Sequence, residues 1–153
     1  MRWEARNYLA LKYRPVSYHS GAKVSKVIVP FADRPRPIQI VFVCISPLLY
    51  GALVGIAVGI SAMDYWVLSI IGGITAFLAG LEHPTPGPAV PRGAATGAVY
   101  GVGVLAAHAI AGTHATVALN GFPLTIVVTG IAGGILTGLG SVMLQRLVAQ
   151  PST

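Results

Sequence analysis

From Ile38 onward the chain is apolar in long blocks, separated by short joints that are polar or rich in proline. Four blocks have the length of a membrane span: residues 38–62, 65–81, 93–112 and 122–148. About 20 apolar residues in a helix cross a hydrocarbon core of roughly 30 Å. Lipid offers no water to bare N–H and C=O groups, so such blocks must close their hydrogen bonds internally, as helices. The pattern predicts an all-α membrane protein: four transmembrane helices arranged as two helical hairpins. Residues 1–37 precede this domain (38–148), and 149–153 form a short tail.

The joints differ. The first is expected to be a tight turn around Met63 and Asp64, with Asp64 suited to turn geometry or to capping the second span. The second, "EHPTPGPAVPR", holds four prolines and reads as a loop too stiff to be helix. The third, "THATVALNG", is small and polar. Pro47 lies inside the first span and predicts a kink there.

The blocks also echo one another. "GALVGIAVG" (51–59) matches "GAVYGVGVL" (97–105), and "IIGGITAFL" (70–78) matches "IAGGILTGL" (131–139), in the same order. Duplication of a hairpin explains this, and chance matching of Gly- and Ala-rich sequence explains it too. A duplicated hairpin returns to its starting side, so the copies would be parallel repeats.

Each span carries small residues at every fourth position: Gly51, Gly55 and Gly59; Gly72, Ala76 and Gly80; Gly93, Gly97 and Gly101; Gly130, Gly134 and Gly138. Such a spacing keeps them on one helix face. Apolar contact alone does not drive helices together in lipid, whereas close backbone approach does. These glycine-zipper faces are therefore the expected helix-packing residues. They serve either the bundle of one chain or a contact with another subunit. Leucine is expected to disrupt packing strongly at Gly55 and Gly101 and to do much less at Val58.

Charge adds direction. Only 9% of residues are charged and 54% are hydrophobic, against about 25% charged in soluble domains. Eight of the ten Lys and Arg precede residue 37: Arg2, Arg6, Lys12, Arg14, Lys23, Lys26, Arg34 and Arg36. The positive-inside rule puts this segment in the cytoplasm, and four spans return the C-terminus there. Arg92 and Arg146 then lie on the same side. Anionic lipid headgroups, or a partner, are the expected contacts of Arg2, Arg6, Lys12, Arg14, Lys23 and Lys26, each basic residue contributing about 1 kcal/mol near such a surface. No nucleic-acid partner is expected. The first apolar run starts too far from Met1 for a cleavable signal peptide.

Candidate chemistry is sparse. Cys44 is the only cysteine and excludes an intrachain disulfide. Intramembrane ionisable groups are the usual marks of transport or catalysis, and the polar candidates are His108, Glu82, His83 and Arg92. His108 falls near the outer end of the third span, where a hydrogen-bonded interfacial role is favoured over a proton relay. Glu82 is expected to pair with Arg92. His108 and His114 belong to the opposite side from Glu82 and His83, so one chain cannot unite them. Phosphate-loop, zinc-protease and nucleophile-elbow motifs are absent. The reading is a non-enzymatic membrane protein without catalytic, cofactor or metal residues, either self-associating as a homo-oligomer or an accessory subunit of a membrane complex. The alternative is a small oligomeric channel or transporter, a holin-like pore included, lined by Thr75, Thr96, Thr129, Thr137 and Ser141.

Overall fold

The computed structural model describes residues 30–117 and 123–149. The basic residues Arg2, Arg6, Lys12, Arg14, Lys23 and Lys26 lie outside the described residues, as does most of the tail. All regular elements among the described residues are helical. A 3-10 turn, Phe31–Asp33, leads into α1 (Arg36–Val58), followed by α2 (Ala62–Gly80), α3 (Pro86–Ala111) and α4 (Leu124–Ala149). These four helices are long and apolar enough to cross a membrane.

Helix boundaries depart from the sequence expectation in two places, each with a local cause. The first hairpin turns at Gly59–Ser61, not at Met63–Asp64. Ser61 is extended (φ −155°), and its Oγ accepts a long hydrogen bond from the Asp64 backbone N–H at 3.4 Å. Ser61 is thus the cap. Asp64 sits inside the first turn, where its carboxylate favours the positive end of the helix.

The larger departure is at α3. It begins at Pro86, so most of the proline-rich stretch is helix rather than loop. Pro86 and Pro88 fall in the first turn, where the N–H groups have no intrahelical partner and proline loses nothing. Only Pro91 lies deeper. Its missing donor would have met the carbonyl of Gly87. In α1, the effect of Pro47 is a π-turn over Val41–Ile45, with the Ser46 N–H reaching back to the Val41 carbonyl. The wider turn makes room where the proline ring removes a bond.

Helix α3 is the centre of the bundle, flanked by α1 and α4; α2 lies against α1 and α4 and barely meets α3. Along the α1/α3 contact, Gly51 stands over the Tyr100 carbonyl, Gly55 over the Val104 carbonyl and Gly59 over Thr113. The numbers rise together, so the two helices run parallel. From the other side Gly103 sits against the Leu48 carbonyl. Along α3/α4 the numbers run oppositely: Gly93 meets Gly134, Gly97 meets Gly130 and Gly101 meets Val127. Gly138 approaches the Ala89 carbonyl. A methyl group at most of these positions would strike backbone atoms. The cost of glycine in a helix, about 1 kcal/mol against alanine, is offset by backbones close enough for dense packing.

Val54, Val58 and Val104 are fully buried, and Tyr50, Tyr65, Leu68, Tyr100, Val117 and Ile126 close around them. Val58 is therefore part of the core. Gly112 ends α3 in the left-handed region (φ 62°). Thr116 then folds back on α1: its N–H and Oγ1 both donate to the Val58 carbonyl, at 2.9 and 2.7 Å. That satisfies a carbonyl which the end of α1 leaves bare.

Candidate functional site

The one concentration of charge among the described residues sits where the turn before α1, the α2–α3 connection and the start of α3 meet. Glu82 is shared. Its Oε1 accepts from Arg34 Nη2 at 2.6 Å, and its Oε2 from Arg92 Nη1 at 2.9 Å. The same Arg92 Nη1 lies 2.9 Å from His83 Nε2. Arginine only donates, so His83 Nε2 must accept, and the imidazole is neutral with its proton on Nδ1. The Arg92 guanidinium covers the Phe31 ring at 3.6 Å from its centroid, and Phe31 meets His83 edge-on at 5.7 Å. Such a cation–π contact is strongest when shielded from water.

The local chain explains each placement. Leu81, Glu82 and His83 unwind from the end of α2 while still donating to carbonyls of its last turn. Arg92 projects from the first turns of α3, which exist only because the prolines there are helical. Arg34 follows the 3-10 turn, and its carbonyl accepts from Gln39 Nε2 at 2.8 Å. Gln145 of α4 donates to the Leu81 carbonyl, so all four helices hold this end.

Solvent reaches little of it. Side-chain exposure is 14% for Glu82, 12% for Arg92 and 22% for Arg34, and His83 is 5% exposed. Exposed ion pairs contribute little, but removing one partner of a buried pair strands a charge. Burial pushes the His83 pKa below the ordinary histidine value, and Arg92 adds to this; Glu82 opposes it.

The expected Glu82–Arg92 pair is present, and His83 belongs with it. Arg34, Phe31 and Gln145 were not singled out from the sequence. Arg34 read only as one of many basic residues, and nothing local in "DRPRP" signals a partner 48 residues away. His108 lies roughly 24 Å further along α3 from Arg92, and it does not join the cluster. Its Nδ1 is buried with no hydrogen-bond partner among the described residues. His114 is exposed beyond the end of α3. Among the described residues no group of three His, Cys, Asp or Glu side chains could hold a metal.

Four of the five hydroxyls of the pore alternative are engaged locally. Thr75 donates to the Gly72 carbonyl at 2.9 Å, Thr129 to the Thr125 carbonyl at 2.8 Å, Thr137 to the Gly134 carbonyl at 3.0 Å and Ser141 to the Gly138 carbonyl at 2.9 Å. Both oxygens of the Glu82 carboxylate are occupied by arginines, and the hydroxyls of Thr75, Thr129, Thr137 and Ser141 are bonded within their own helices. Comparison of the chain with protein-family models, curated proteins and solved structures finds no match.

Proposed function

We propose that this chain is a non-enzymatic integral membrane protein that self-associates, or joins a larger complex as an accessory subunit, through its second helix. Both termini lie in the cytoplasm, and the basic segment before Pro30 rests on anionic lipid or on a partner at that side. The observation that carries the reading is the contrast around α2. Most glycines of α1, α3 and α4 face one another, although Gly133 of α4 stands in open space; in α2 only Gly80 is buried, Gly72 lies against Tyr50 and Gly73 is open. Trp66, Ile70, Gly73 and Ile74 share one face of α2; the three large side chains are exposed, and Gly73 has no heavy atom within 4 Å of where a Cβ would stand. Glycine on a face turned only to lipid weakens the helix for no gain. On a face turned to another helix it permits close approach. The locally bonded hydroxyls weigh against the channel alternative.

Two measurements test this. Fluorescently labelled protein is reconstituted in liposomes at falling protein-to-lipid ratios, and bleaching steps are counted. Multiple steps that Gly73→Leu reduces to single steps are expected; single steps at every density with the native chain overturn self-association. The same vesicles, loaded with ions and small solutes, should show no flux, and reproducible flux would favour the channel. Thiol labelling at Ser20 and His114 in a Cys44→Ser background should occur from opposite sides; labelling from one side overturns the topology.

A further inference from the structure

We propose that the Arg34–Glu82–Arg92–His83 cluster is a proton-sensitive clasp, holding the turn before α1 against the bundle while His83 is neutral and releasing it when His83 is protonated. The inference does not depend on self-association. It rests on the arrangement of charges and donors.

In the closed state His83 Nε2 accepts from Arg92 Nη1 at 2.9 Å. That nitrogen offers two hydrogens to three acceptors, His83 Nε2 and Glu82 Oε2 at 2.9 Å and the Ala79 carbonyl at 3.5 Å. A proton on Nε2 turns the acceptor into a donor pointed at a donor. It also adds a cation where Glu82 already serves two guanidiniums. Among the described residues, the groups facing His83 offer no relief. From the turn before α1 come Phe31 and Arg34; from α3 comes Arg92; from its own connection comes Glu82. Asp33 lies exposed in the 3-10 turn, and on α4 Gln145 is held by the Leu81 carbonyl while Arg146 is exposed and cationic.

The weakest link is the segment before α1. Helix α3 fixes Arg92, and α2 fixes Glu82 and His83. Phe31 and Arg34 stand on a short 3-10 turn without buried residues. Their grip on α2 and α3 is the Phe31 ring under Arg92 and edge-on to His83 and the ion pair with Glu82; their other contacts, Gln39 Nε2 to the Arg34 carbonyl and Arg34 over Phe42, are to α1 itself. A protonated His83 must reach water or draw Glu82 toward itself. Either movement undoes the Phe31 contact or the Arg34 pair, and the turn leaves with whatever precedes it.

The sign follows from linkage. Burial and Arg92 hold the His83 pKa below its ordinary value in the closed state. The open state therefore binds the proton more readily. Closure is fully favoured above the ordinary histidine pKa of about 6.5. It weakens as pH falls from there through the lowered value, by at most about tenfold per pH unit for a single proton.

The test uses the full chain in lipid nanodiscs, with Cys44→Ser and a spin label at Ala32→Cys, an exposed position in the turn. Label mobility is recorded from pH 8 to pH 5. An ordered spectrum at pH 8 should give way to a mobile one below about pH 6.5. His83→Gln, which keeps an acceptor without a titrating ring, should stay ordered throughout. Glu82→Gln should be mobile at every pH, and His19→Gln should behave as the native chain. A native spectrum independent of pH, the same transition in His83→Gln, or an ordered Glu82→Gln would each overturn the proposal. Titration of the His83 ring by NMR in the native chain provides a measurement free of folding defects. Its midpoint should coincide with label release, and a clear separation of the two also overturns the clasp.

Discussion

The two hairpins carry matching sequence and pack in opposite ways. In the second, α3 and α4 meet backbone to backbone, Gly93 on Gly134 and Gly97 on Gly130. In the first, the corresponding glycines of α1 turn away from α2: Gly51 and Gly55 face α3. What lies between α1 and α2 is an aromatic ring. Tyr50 packs against Gly72 and donates its hydroxyl to the Leu68 carbonyl at 2.6 Å. Other matched positions diverge as well. Gly73 is in open space, whereas Gly134 lies on the Gly93 carbonyl; Gly55 meets α3, whereas Gly101 meets α4. A shared spacing of small residues therefore makes a contact available without saying which neighbour takes it. The packing lends no support to a duplicated hairpin.

Substitutions can break this comparison. The largest effect is expected at the α3/α4 crossing. Gly97→Leu puts a branched side chain into the Gly130 backbone, and overpacking of that kind costs about 1–3 kcal/mol or more. Gly73→Leu, the test on the loose hairpin, should leave the unfolding midpoint of the monomer in detergent almost unchanged. Equal losses at both positions would mean that the hairpins are not packed differently.

The ionic cluster ranks next. Glu82→Gln leaves Arg34 and Arg92 without their carboxylate, and loss of one partner from a buried pair costs about 3–5 kcal/mol when burial is complete. Residual exposure of 12–22% at the arginines and Glu82 should bring it to about 2 kcal/mol, read from unfolding in detergent at pH 8. A larger loss on Arg34→Gln than on Glu82→Gln would be inconsistent with Glu82 as the shared hub.

Tyr50→Phe removes one hydrogen bond between α1 and α2 and keeps the ring. It should cost about 1 kcal/mol. The smallest effect sharpens the contrast by its sign. Gly73→Ala should stabilise the helix by up to about 1 kcal/mol, since nothing stands near the new methyl group, while Gly97→Ala should destabilise. Thermal melts of the pair in one detergent suffice to compare them.

Much of this molecule is legible in order of residues. The four helices follow from block length and hydropathy, because a chain in lipid has few ways to close its backbone hydrogen bonds. The Glu82–Arg92 pair follows from proximity along the chain. Proline misled at residues 86–91, because its helix-breaking character depends on which turn it occupies. A stretch with several prolines reads as loop until the start of α3 is known. Ser61 was likewise hidden by Asp64, since both residue types cap helices and only the backbone at Ser61 decides between them.

What the sequence by itself determined is local: apolar block lengths, small residues on one face of each helix, and charge gathered before the first helix. These depend on the period of the helix and on the solvent that the side chains prefer. Tertiary structure decided which glycine face meets which helix, that α2 stays outside the tight packing of the other three, and that Arg34 reaches Glu82. Those outcomes depend on the bulk of distant side chains such as Tyr50 and on the direction in which each turn sends the next helix. In lipid the hydrophobic effect does not choose among apolar faces, so fit between surfaces makes the choice.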